Sequence, residues 1–459
     1  MDHSATARRH WLPLKTEIAH KFNELWASPE LGNMEFKAQA TLCDWLESHG
    51  FDVERGVAGL PTAFRARRGS GGPRVALLAE YDALPGTDND AVAERRRRGH
   101  PAGHACGHNL IGPANCGAAI AAALAAEEAG LAGEIMVLGT PAEEIVWGKV
   151  AMLGLGVFDG IDAILTSHGD YQNGALSRPC QSVLNGEVIF LGEAGHGGGT
   201  RRRNALDAAE LAVQSLERLR AHHFPDTSVE HVLRVAGHIP NVTPDEARLW
   251  FTARHESFER AREVFDFAIG VASRAAEMTG VGFRHQFIAG TRGYLANDIM
   301  AREVHAALET VGPPRWTEEG RDFMRALAKV CRPDGEFRLD EGIGLYSEGL
   351  DPYGQDDGEV SWRIPLGRVN WAFPDQVPLH NWALTALAGH QASHPGPLMA
   401  SEALAVATLR LLADPALIGT AKEELGRRTR GVDLGQPMFG ALETMRHRPD
   451  AFWNASWIE

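Results

Sequence analysis

The chain of 459 residues has few cysteines, no long apolar run and no excess of positive charge, and each shortage removes a class of protein. Five cysteines over this length do not make a disulfide framework, and an odd number excludes complete pairing. No uninterrupted apolar stretch approaches the ~20 residues that cross a bilayer. The N-terminal MDHSATARRHWLPLK lacks the apolar centre of a secretion signal. The expectation is a cytoplasmic protein that makes no membrane contact. A formal charge of −15 argues against a nucleic-acid partner, because phosphate binding needs a basic surface. The run Arg95 to Arg98 is a local exception, read as a solvated loop, with a funnel for anionic substrates as the alternative. Also missing are H-E-x-x-H, G-x-S-x-G, a Walker loop and the G-x-G-x-x-G fingerprint.

What is present is ordinary globular composition, 44% hydrophobic and 23% charged, in a chain long enough for two domains. Apolar residues at helical spacing (Ile18, Phe22, Leu25, then Ala38, Leu42, Leu46) mark helices over residues 15–48. Val75 to Ala79, Ile135 to Leu138 and Ile161 to Leu165 are short continuous apolar runs, as in buried strands of a covered sheet. The Ala-rich stretch Asn115 to Ala129 is long enough to be a crossover helix, so the first third reads as an α/β layer with a parallel sheet. From about Asn185 the texture changes. A strand over Glu187 to Leu191, a helix over Asn204 to Arg220, an alternating strand over Ala247 to Arg254 and a helix over Phe258 to Met278 suggest a small inserted sheet domain. Helical patterns resume after Asn297 and end with Leu398 to Leu412, which Pro415 closes.

The chemistry concentrates at predicted strand ends. Gly103-His-Ala-Cys-Gly-His-Asn109 puts a thiol and an imidazole two residues apart, where both can reach one ion. Cysteine with histidine suits zinc or a similar borderline metal. On its own the pattern is better explained by a buried cysteine and a structural histidine, and a Cys106 nucleophile paired with a histidine is a further alternative. Placement favours the metal: Asp82 follows the first run, Glu143 and Glu144 follow the second, and His168 ends the third, at the edge where open α/β sheets build their sites. One glutamate can ligate while the other takes a proton from water. The plain alternative for that pair is a charged helix start.

At these residues the chain resembles the amidohydrolase branch of the M20 metallopeptidase superfamily. The matching segments are Ala79-Glu-Tyr-Asp-Ala-Leu-Pro85, Gly103 to Leu110, Gly139-Thr-Pro-Ala-Glu-Glu144, Asn204-Ala-Leu-Asp207, Asn241-Val-Thr-Pro-Asp245 and Gly358-Glu-Val-Ser-Trp362, in family order along most of the chain. The resemblance implies an α/β fold: a discontinuous catalytic domain with a central mixed sheet (1–184 and 292–459) and an inserted α+β lid and dimerisation domain (185–291). It implies a metal-dependent hydrolase of carbon–nitrogen bonds acting on N-acyl amino acids, dipeptide-like amides or aminobenzoyl-glutamate analogues that carry a carboxylate. It implies one or two divalent ions, Mn2+ or Zn2+, held by Cys106, His108, Glu144, His168 and His394, with His380 as runner-up for the last position. Glu143 is implied as general base. His196 of Gly195-His-Gly197 is implied as an oxyanion stabiliser serving a partner subunit of a homodimer. Asn241 and Arg254 are implied as holders of a substrate carboxylate or carbonyl, against their plainer readings as a turn residue and an exposed strand cation.

The chain also departs from the family. Ile145-Val-Trp147 stands where a glycine string is usual, Gly169-Asp170 follows His168 where proline is usual, and the lid reads Gly195-His-Gly-Gly-Gly-Thr-Arg-Arg-Arg203. Bulky groups beside Glu143, Trp147 above all, leave open an aryl amine such as a nitroanthranilate as substrate. A non-catalytic metal-binding scaffold is disfavoured, because it has no use for Glu143.

Overall fold

The computed structural model describes residues 3–199 and 203–456. Its centre is an eight-stranded mixed sheet, and four parallel strands form the heart of it: β1 (Arg74–Ala79), β2 (Gly133–Gly139), β3 (Ala163–Asp170) and β4 (Leu366–Ala372), in the spatial order β2-β1-β3-β4. Phe64–Ser70 runs antiparallel beside β2, and Gly174–Leu176 runs antiparallel beside β4. This is the mixed α/β architecture expected from the sequence.

The continuous apolar run of β1 is explained by cover on both faces. Val75, Leu77 and Ala79 enter one hydrophobic core, and Ala76 and Leu78 enter another. The first core is closed by helices His3–Ala27, His108–Ala129 and Pro395–Ala413. The second lies under Gly148–Gly154 and the short C-terminal helices Leu442–His447 and Pro449–Trp453. Two core helices correct the sequence reading of apolar length. His108–Ala129 and Gln391–Ala413 are long and apolar enough to cross a membrane, yet 94% and 89% of their apolar windows are buried in the fold.

A second sheet of five antiparallel strands follows the order Ser228–Val235, Glu246–His255, Ser182–Leu191, Gly282–Thr291, Met438–Phe439. Helices Ala205–His223 and Phe258–Thr279 pack on it around a third core. The edge strand Ser228–Val235 escapes sequence reading because most of its residues face solvent or are only half covered, which erases the alternation. Met438–Phe439 comes from the far end of the chain, so the C-terminal segment ties this sheet to the body. Arg234 reinforces the tie: it stacks 4.9 Å from both the Trp250 and Phe452 rings and donates to the Trp453 carbonyl at 3.0 Å.

Close approach of the helix His108–Ala129 to the end of β1 depends on glycine. A Cβ on Gly112 stands 2.6 Å from the Glu80 carbonyl oxygen. Gly112→Ala is therefore expected to cost about 1–3 kcal/mol of stability by overpacking. Urea unfolding measures it, and an unchanged midpoint would show that the helix and strand are free to separate.

Candidate metal centre

The carboxyl ends of β1, β2 and β3 deliver their polar residues to one place. Asp82, just past β1, receives the Nδ1 proton of His108 at 2.8 Å with one oxygen and the Glu144 backbone N–H at 3.0 Å with the other. Nδ1 of His108 is thereby committed, and its Nε2, fully buried and without a hydrogen-bond partner, is left to face the cluster. Gly107, at φ 82, makes the turn that lets Cys106 and His108 approach together. His168 lies inside β3, which runs two residues beyond it to Asp170, where the sequence suggested that His168 ends the strand. Its Nδ1 is held by the Gly169 carbonyl at 2.7 Å, and its Nε2 lies 3.6 Å from the Cys106 sulfur.

Two groups of donor atoms lie within 4.8 Å of one another: Cys106, His108 and His168, and Cys106, Glu144 and His380. Cys106 belongs to both. His394 is not among them. It begins the helix Pro395–Ala413 and turns its ring edge-on to Phe22, 5.3 Å away in the first core. His380 takes the place, 3.3 Å from the Glu144 carboxylate, on a loop anchored by its own backbone N–H to the Ala105 carbonyl at 2.8 Å. The structure thus favours the runner-up, because the loop that crosses the cleft is Pro378 to Asn381 and not the start of the last long helix.

Glu143 is buried with an oxygen 3.7 Å from His108 Nε2. Burial, with the Glu80 charge adding to it, pushes its carboxyl well above the ordinary range. Burial likewise raises Glu144 to about 8 and the Cys106 thiol to about 12, and lowers His168 to about 3. Such a set resists holding its charges without a cation. Behind it, the fully buried Lys149 pairs with Glu80 at 2.8 Å and with Asp356. Burial opposes the Glu80 charge, but Lys149 and the neighbouring imidazoles outweigh it and bring the carboxyl down to about 2. Sequence reading missed Lys149 and Asp356; the only signal was a lysine inside an otherwise apolar stretch and an acidic pair ahead of Gly358.

A cavity of about 520 Å³ opens over the cluster, lined by Cys106, Glu143, Glu144, His168 and His380, and also by Arg254 and Arg368. Arg254 reaches it from the five-stranded sheet and is paired with Glu230 at 2.9 Å. His196 and Asn241 do not line it. They are exposed neighbours, joined through the Gly197 N–H to Asn241 carbonyl bond at 2.9 Å. Thr200, Arg201 and Arg202 of the adjoining run lie outside the described residues. Trp147 is not a cavity wall either. It is fully buried, donating to the Gly440 carbonyl at 2.8 Å, and of the bulky residues after Glu144 only Val146 reaches the cavity. The arginine run is structural: Arg95 bonds Asn89, and Arg98 pairs with Asp88 at 3.0 Å while stacking on Trp26.

Residues 76–349 match the peptidase family M20/M25/M40. Over 441 residues the chain is 30% identical to one of the subunits of p-aminobenzoyl-glutamate hydrolase of Escherichia coli (strain K12), covering 89% of this chain and 91% of that protein. It is 29% identical to Xaa-Arg dipeptidase of Mus musculus, over 87% and 86% of the two chains. A Bacillus subtilis structure described as a dinuclear metal binding peptidase from the M20 family is similar in fold, with a TM-score of 0.53 at 21% identity, over 87% of this chain and 99% of that one.

Asp82 fixes both His108 and the Glu144 backbone, so Asp82→Ala is expected to weaken divalent-metal affinity about 10- to 100-fold while the protein stays folded. Isothermal titration with Zn2+ and Mn2+ reads this directly, and wild-type affinity in the variant would remove Asp82 from the site.

Proposed function

The chain belongs to peptidase family M20/M25/M40 and is a hydrolase of carbon–nitrogen bonds. From that premise we propose that it cleaves the amide of a carboxylate-bearing N-acyl amino acid, dipeptide-like or aminobenzoyl-glutamate-type substrate. Membership implies divalent metal ions, and the residues present fit them: an orphaned His108 Nε2, an orphaned Glu144 oxygen, a thiol and two further imidazoles. Cys106, His108 and His168 would hold one ion, and Cys106, Glu144 and His380 a second, with the thiolate shared. Bound there, a divalent ion supplies Lewis acidity to a carbonyl and lowers the pKa of water towards roughly 7.

The observation that carries the reading is Glu143, a carboxylate that lines the cavity beside the donor groups. Its place at the mouth of the donor cluster, 3.7 Å from His108 Nε2, suits it to take a proton from the attacking water and return it to the leaving nitrogen. Asp82 holds His108 in the tautomer that offers Nε2. Lys149 keeps Glu80 ionised behind the cluster. The aryl-amine reading rested on Trp147 as a flat pocket wall, and its burial in the second core withdraws that support.

We assign His196 and Asn241 to the site of a second copy, since both are exposed and neither reaches the cavity of its own chain. Subunit exchange tests this. Glu143→Ala and His196→Ala proteins, each impaired alone, are expected to recover activity when mixed, and no recovery despite verified exchange would return both residues to structural roles.

The function itself is tested by metal analysis of the purified protein together with turnover of aminobenzoyl-glutamate, β-alanyl and N-acyl amino acids and nitroanthranilate. Metal-dependent release of an amino acid is expected. Ammonia from the aryl amine alone would overturn the substrate class, and failure to take up metal would overturn the mechanism. Glu143→Ala is expected to lower kcat by about 100-fold or more with metal content unchanged.

A further inference from the structure

We propose that Arg368, on the sheet floor of the cavity, is the group that anchors the substrate carboxylate. The proposal rests on the amide-hydrolase reading for the class of ligand, but its geometry is independent of it.

In β4, Asn370 pairs in register with His168 of β3, and Arg368 pairs with Thr166. All four side chains therefore leave the same face of the sheet, the face that carries the metal-donor imidazole. One step of two residues along a strand is roughly 6.6 Å. The carboxylate of an N-acyl α-amino acid sits three bonds from the scissile carbonyl carbon. With that carbonyl at the cluster, the carboxylate comes within reach of a guanidinium one such step away.

The chemistry of Arg368 sets it apart from a structural arginine. Its side chain is 6% exposed, approaches Asp357 no closer than 3.5 Å, and forms no hydrogen bond to any described residue; its Nε is buried without a partner. Arg292 shows what this fold does with a buried arginine that only holds structure: two bonds to Glu359, at 2.8 and 3.0 Å. A buried fork left open towards a cavity is built for a carboxylate, the anion it matches in geometry. Asn370, two residues on, has its Nδ2 bound to Asp170 at 2.7 Å; its buried Oδ1, without a partner, accepts only and so suits the substrate's amide N–H, leaving the carboxylate to Arg368. Asp170 and Asp351 also line the cavity, so the anion is directed to the guanidinium and away from these carboxylates.

Arg254, the other arginine of the cavity, is a weaker candidate. Its Nε is already bonded to Glu230 at 2.9 Å, and 27% of its side chain is exposed. A carboxylate there competes with an ion pair already made.

The test uses the full-length, metal-loaded protein and two ketones that contain no amide or ester bond, 3-benzoylpropanoate and its neutral methyl-ketone analogue 1-phenylpentane-1,4-dione. Calorimetry is expected to show the wild type binding the acid about 10- to 100-fold more tightly than the neutral ketone. Arg368→Met should erase that preference by weakening the acid alone, whereas Arg254→Met should leave a preference for the acid. Arg368→Lys keeps the buried charge without the fork and should lose about tenfold for the acid; it decides the matter if the Met variant proves misfolded by circular dichroism. Equal binding of the acid and the neutral ketone by the wild type, a preference that survives loss of the Arg368 fork, or a preference erased by Arg254→Met would each overturn the proposal. Because neither probe is turned over, the binding result stands apart from amide hydrolysis, which falls only if the wild type shows no metal-dependent cleavage.

Discussion

Asp82 lies between the two halves of the donor cluster, with one oxygen on the His108 ring and the other on the Glu144 backbone. A carboxylate so placed does two things that no single ligand could do. It fixes which nitrogen of His108 is free, and it ties the segment after β2 to the segment after β1. Both ties require that β1 and β2 run parallel and adjacent, so that their carboxyl ends coincide. The parallel sheet, with both faces covered, exists in this chain because the strands are apolar throughout and helices close both sides. The site thus inherits its precision from the least polar part of the molecule.

That precision carries a local cost. Seven described residues other than glycine have positive φ, and three of them, Ala142, Val146 and His380, flank the cluster. Each such backbone costs on the order of 1–3 kcal/mol, and for the β-branched Val146 the conformation is a steric outlier. A glycine at 146 would adopt this backbone freely, so the chain accepts strain that glycine avoids. In return Ile145 and Trp147 enter the second core and hold the Glu143–Glu144 turn against the body. Strain and burial act together here: the turn is rigid because its neighbours are anchored in apolar packing.

How much of this was legible in the sequence follows from the same division. Cys106, His108, Glu144 and His168 could be read because each sits within a few residues of an apolar strand or at the start of a helix whose period is plain. His394 was preferred because sequence order places a histidine before the final helix, whereas the fold turns that ring onto Phe22 in the core. His380 occupies a loop with no periodicity, and its φ of 55 is invisible to pattern. Trp147 illustrates the opposite error. Proximity to Glu143 in sequence suggested proximity in space, but one left-handed residue at 146 sends the indole to the other face. Lys149, Asp356 and Arg368 were beyond reach, since a buried charge is recognisable only once its counter-charges are known to converge from distant segments.

The net charge of −15 would suggest a cavity hostile to anions, but net charge acts over the surface and is screened within about 10 Å at ordinary ionic strength. What a substrate meets inside is set by the few charges that remain unspent. None of the four arginines of residues 95–98 lines the cavity, and Arg98 is taken up by Asp88 and Trp26 and Arg96 by Asp90. Lys149 is spent on Glu80 and Asp356. Arg254 gives its Nε to Glu230. Among the described residues lining the cavity, Arg368 is the buried guanidinium without a side-chain hydrogen bond, its nearest carboxylate, Asp357, standing at 3.5 Å. An acidic protein can therefore present a site suited to acids, because the field at a buried position depends on which pairs have already closed and only weakly on the total.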